Sequence, residues 1–155
     1  MAVRGKALVI TIAGVVVVLV AVSVAWVFLC PGRSADLQKA HIQRRDYNQS
    51  VKDIQKVIAD DVAHSEVRPE SRPIIKTHGK KTARAVMILH GVSGEPSAMA
   101  ELADWFYQAG YNVYVPRAPH HGLKDGKQHG KVRASELVKF MSDSAGLVSG
   151  LGDEL

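Results

Sequence analysis

His90-Gly91-Val92-Ser93-Gly94 closes the uncharged run Ala85-Val86-Met87-Ile88-Leu89. An apolar run of that length, ended by His-Gly, suits a strand buried on both faces of a parallel sheet. The small residues after it expose backbone N–H groups at the carboxyl edge, where open α/β sheets bind their ligands. An N–H fixed there stabilises charge developing on a carbonyl oxygen, one of the larger contributions to acyl transfer. A tight loop with no chemistry also uses glycine after a strand, and these residues alone leave both readings open.

A second stretch follows at a helix's distance. Gly110-Tyr111-Asn112-Val113-Tyr114-Val115-Pro116-Arg117 is a helix end and a strand stopped by proline, and Ala118-Pro119-His120-His121-Gly122 is a turn. The order HG after a strand, GY after a helix, P-R after the next strand and then P-x-HG resembles the α/β-hydrolase family. The similarity is to its lysophospholipase, monoglyceride-lipase and carboxylesterase-like branch, and it covers about Ile74 to Leu155. The Thr77-His78-Gly79-Lys80-Lys81 hairpin also looks like that branch, whereas His120 stands where many relatives have glycine.

Carried onto this chain, the resemblance makes the backbone N–H of Val92 half of an oxyanion hole. His90 and Gly91 are then the oxyanion-loop motif, and Pro119, His121 and Gly122 the P-x-HG turn. The family's nucleophile is a serine in G-x-S-x-G, followed by an acid and a histidine. That motif is absent: Glu95 follows Gly91-Val92-Ser93-Gly94, and Leu147 precedes Val148-Ser149-Gly150. No catalytic residue is therefore identifiable, and Gly150 to Leu155 resembles the lead-in to the elbow strand. The expected function is a membrane-anchored serine hydrolase of the esterase or lipase type in full-length form, with this chain a truncated frame inactive alone. Its partners would be the bilayer and an acyl-ester small molecule or lipid. The alternative is a non-catalytic anchored binding module using the 34–64 helix or the HG edge.

Other chemistries fit less well. A metal site from His120, His121 and His129 lacks a carboxylate at ligand spacing, and a single cysteine excludes the usual thiolate zinc site. Gly150-Leu151-Gly152 lacks the third glycine and following helix of a dinucleotide fingerprint, so no cofactor is expected. The net charge of +5 lies toward the N-terminal half. Lys and Arg outnumber Asp and Glu over residues 31–84, but acids prevail over 85–155, so no basic stripe for nucleic acid is expected. Anionic headgroups would suit the basic segment, as would a plain solvated face.

These motifs need positioning elements. Ala7 to Cys30 carries no charge and predicts a transmembrane helix after Arg4 and Lys6, with a cleaved signal ending near Ser23-Val24-Ala25 as the competing account. A single-pass cell-membrane anchor with the C-terminal part outside is expected. Pro31-Gly32 ends that helix. Tyr47, Val51, Ile54, Ile58 and Val62 then form an apolar stripe in a helix from Ser34 to about His64. Pro69 and Pro73 break the chain. Strands are predicted at Ile74–Thr77, Ala85–Leu89 and Tyr111–Val115. One helix capped by Ser97 would bury Met99, Leu102, Ala103 and Phe106 and end at Gly110. Another, capped by Ser135, would bury Val138, Met141, Ala145 and Val148. The expected fold class is α/β: an N-terminal transmembrane helix, then the first strands and helices of an α/β-hydrolase sheet, incomplete. The expected domains are an anchor (1–30), a helical juxtamembrane stalk (31–71) and a partial hydrolase domain (72–155). Without the elbow strand, the Ala85–Leu89 edge would be open and aggregation-prone.

Overall fold

A computed structural model describes residues 2–29 and 42–155 and divides the chain into two compact units, Met1–Asp36 and Leu37–Leu155. The first unit contains α1 (Ala2–Leu29), a helix along the predicted apolar run. Among the described residues, however, no helix is long and apolar enough to cross a membrane. The transmembrane helix expected of the fold is corrected accordingly. Cys30, Pro31-Gly32 and residues 34–41 of the expected second helix lie outside the described residues.

The second unit is a mixed α/β domain. Its elements are α2 (Tyr47–Ala63), β1 (Ile74–Lys76), β2 (Thr82–Met87), α3 (Ala100–Gln108), β3 (Asn112–Val115), α4 (Ala134–Val148) and β4 (Gly152–Glu154). The sheet order is β1-β3-β2-β4, with β1 antiparallel to β3 and both β3 and β4 parallel to β2. Every residue of β3 is buried, so this strand, more than β2, is the spine of the domain. In β2 only Ala85 is fully buried, and Ile88 just beyond it is buried too.

The expected Thr77–Lys81 hairpin is not formed, because β3 lies between β1 and β2. Asn112 organises the connection instead. Its side chain accepts the His78 N–H (2.8 Å) and donates to the carbonyls of Lys80 and Leu151 (2.8 Å each). Three backbone groups in two connections, the β1–β2 link and the turn before β4, thus share one buried amide. β4 covers the start of β2, pairing Gly152 with Thr82 and Glu154 with Arg84, and among the described residues Ala85–Leu89 has no strand partner on that side.

One apolar cluster lies between α2, α4 and the sheet, built on Ile54, Ala85, Tyr114, Leu147, Val148 and Leu151. The other lies under α3, on Ile88, Ala103, Val113 and Val115. Helix α2 begins at Tyr47, capped by Asp46 accepting the Gln49 N–H (2.9 Å), rather than at Ser34. It packs into the first cluster, so the boundary expected at 71/72 does not separate it from the sheet. Val62, expected on its inner stripe, is 52% exposed. Asp61 is buried in its stead, because Arg117 is there to receive it.

Two further caps differ from expectation. Ser97 lies inside a 3-10 turn (Pro96–Met99) whose cap is Glu95, and α3 follows it. Leu102 is exposed, and the aromatic rings of Phe106 and Tyr107 pack inward with Met99. Helix α4 starts after Arg133, whose N–H donates to the Glu136 carboxylate (2.7 Å), so Ser135 is not its cap.

Candidate functional site

Strand β2 delivers its last residues to the carboxyl edge of the parallel strands. The Ile88 N–H still bonds the Tyr114 carbonyl (3.0 Å), and then the chain leaves the sheet as the 90–94 loop. Strand β3 leaves alongside it through Pro116 into the 117–122 turn. The two loops, separated by a whole crossover helix in sequence, meet here.

Two histidines tie them together. His90 accepts the Ala118 N–H at Nε2 (3.1 Å), which leaves Nδ1 as the protonated nitrogen, donating to the Gly91 carbonyl (3.0 Å). Burial holds the His90 imidazole below its ordinary value, which favours this neutral tautomer. The Gly94 N–H donates to the same Gly91 carbonyl (2.9 Å). Gly91 C=O and Val92 N–H belong to one peptide plane, so two donors on the oxygen fix and polarise the N–H on its opposite side. The second histidine, His121, is buried. Its Nε2 lies 2.6 Å from the Val92 carbonyl and its Nδ1 2.8 Å from the Pro119 carbonyl.

The turn is shaped by two left-handed residues, His120 (φ 62°) and Gly122 (φ 65°). Gly122 packs directly on Ser71, where a Cβ would strike that side chain. His120 adopts a conformation that glycine takes without strain, and its Nε2 lies 3.1 Å from Glu136 of α4. Arg117 fixes the base of the turn. It donates to both oxygens of Asp61 (2.8 and 2.6 Å) and to the His121 carbonyl (3.0 Å).

Glu95 anchors the far end of the 90–94 loop. It accepts from Ser71 Oγ, from Arg68 (2.5 Å) and from Ser97 Oγ (3.2 Å). The Ser71 hydrogen bond, then the Arg68 charge, hold its carboxyl below the ordinary value. In the sequence Glu95 stands out only as the residue that breaks a glycine motif. Its signal was indirect: an acid just after a glycine loop, with arginines upstream.

A cleft of about 290 Å³ opens beside the loops, walled by Leu89, Val92, Pro116, Val132, Phe140 and Met141 among others. Val92 is 84% exposed, and its N–H has no acceptor among the described residues. The α4 wall was missed at the sequence level, although Leu137, Phe140 and Met141 repeat at three and one and so share a helix face.

The structure therefore brings together every residue expected at the site: His90, Gly91 and Val92 in one loop, and Pro119, His121 and Gly122 in the turn against it. His120 and His129 do not join them as metal ligands, since His120 faces Glu136 and His129 faces the Gly126 carbonyl. Among the described residues no group of histidine, cysteine and acidic side chains is placed to hold a metal ion. No protein-family model, curated protein or solved structure matches the chain.

Proposed function

We propose that residues 37–155 provide the oxyanion and acyl side of a serine-hydrolase site for carboxylic esters, in the manner of the α/β-hydrolases. The observation that carries this reading is the placement of the Val92 N–H. It is polarised from behind by His90 and Gly94, free of protein acceptors among the described residues, and set at the mouth of an apolar cleft. The strand order, with parallel strands flanked by an antiparallel β1 and a crossover through α3, supports it by putting that N–H at the edge where such sheets hold ligands.

In this reading an ester carbonyl lies over the 90–94 loop with its acyl chain in the cleft. As a hydroxyl attacks, charge grows on the carbonyl oxygen, and the Val92 N–H receives it without reorganising. The attacking hydroxyl is not among the 155 residues in a G-x-S-x-G setting. The chain alone binds and does not turn over.

Octanoate tests this, because its carboxylate mimics the oxyanion and its tail the acyl chain. Titrated into the 15N-labelled full chain, it should shift the Val92 amide together with the amides of Leu137 and Met141, with Kd on the order of millimolar. Met141→Glu should weaken binding about tenfold by placing charge in the apolar wall. Shifts that avoid Val92 and the α4 wall would overturn the proposal.

A further inference from the structure

The His121 ring stands between two carbonyl oxygens, those of Val92 (2.6 Å) and Pro119 (2.8 Å). A neutral imidazole has one N–H and can satisfy only one of them; both bonds form together only when both ring nitrogens carry hydrogen. Both contacts are as short as or shorter than charge-assisted bonds of about 2.7–2.9 Å, and the ring is buried from competing water. One bond reaches across to the 90–94 loop, and the other closes on the turn that carries the ring. We propose that His121 is the positioning residue of the oxyanion loop: its doubly protonated ring clasps the Val92–Ser93 peptide to the 117–122 turn and so sets the direction of the neighbouring Val92 N–H.

The titratable and charged groups around the ring have partners of their own. His90 faces the ring from the loop after β2 (centroids 5.2 Å apart) and is held in its neutral tautomer by its own two bonds. His129 faces it from the 128–131 turn (5.8 Å), bonded to the Gly126 carbonyl. Arg117 touches the His121 backbone carbonyl, but its charge is matched by Asp61 of α2. Arg68, across the small polar pocket that His121 also lines, is matched by Glu95, and the adjacent His120 faces Glu136 of α4. The count of donors sets the condition: the clasp has both bonds when both ring nitrogens carry hydrogen, and one when only one of them does.

This inference rests on the proposed acyl site for the purpose of the loop, but its test does not. Ring 15N correlation spectra of the full chain, recorded from about pH 5 to 8, read the protons on His121 directly, and the Val92 and Ser93 amide chemical shifts read the loop. The expected result is two protonated ring nitrogens at the acid end. The Ser93 amide, whose peptide carbonyl receives the clasp, and the Val92 amide should then shift together with the loss of the second ring proton. His121→Gln should abolish that step. A ring with one proton at every pH, amide shifts that stay flat, or a step that persists in His121→Gln would overturn the clasp. Should His121→Gln not fold, the wild-type ring and amide shift data decide alone. Octanoate reads the cleft instead of the ring, so the clasp and the acyl site fail separately.

Discussion

Gly122 and His120 sit two residues apart in the same left-handed region, yet for different reasons. At Gly122 both the backbone and the space demand glycine, because φ is 65° and Ser71 occupies the place of a Cβ. Gly122→Ala should therefore combine a conformational penalty with a clash and destabilise the domain by about 3 kcal/mol, read from a denaturant midpoint. His120 has only the conformational burden, and it gains a contact with Glu136. The glycine expected there from the family resemblance is thus replaced by a residue that strains the backbone but preserves the turn. Nothing in the residue types announced which of the two could be replaced; that depends on Ser71, which is distant in sequence and reads there as an ordinary loop serine.

The elements were legible to the degree that their apolar pattern was decided by one packing partner. The Tyr111–Val115 strand and the helix ending at Gly110 emerge close to expectation, since β3 is buried on both faces and Gly110 takes φ 91° just past α3. β2 starts earlier than the expected Ala85–Leu89, because the uncharged run that marks it begins only after Thr82 and the charged Arg84. Their backbones pair with β4, and the Arg84 guanidinium lies over the Tyr111 ring (5.1 Å), so polar side chains are tolerated in that half of the strand. β1 could not be paired from the sequence at all, because its neighbour is the third strand and not the next one. The close approach of β4 rests on Gly152, where a Cβ would meet the Ala85 N and Arg84 backbone. Gly152→Ala should push β4 off its partner, with a loss of about 2 kcal/mol and faster exchange of the Thr82 amide, which bonds the Leu151 carbonyl (3.2 Å). Unchanged protection at Thr82 would show that the neighbour yields instead.

At the scale of the domain, an ion pair joins α2 to the site. Asp61 on α2 receives Arg117, and Arg117 reaches the backbone of the turn that carries His121. A charged residue near a helix end reads as solvated, which is why the sequence placed Val62 inward and left Asp61 out. Asp61→Asn should leave a largely buried guanidinium half-paired and destabilise the domain by about 3 kcal/mol in equilibrium unfolding. Asp61→Leu combined with Arg117→Met should recover only part of a single-site loss, because the bond to the His121 carbonyl is gone as well. Asp61 also acts on Tyr114, the largest side chain sealed in the core. Burial first, and then the nearby carboxylate, push the Tyr114 phenol far above its ordinary value of 10.0. The folded form therefore keeps that proton more tightly than the unfolded chain does. Its share of stability is intact below pH 10.0 and erodes as alkali rises beyond it. In an alkaline absorbance titration, the phenolate of Tyr114 should arrive late and together with loss of helical circular dichroism. Base would then disclose collapse of the interior through a chromophore already built into it.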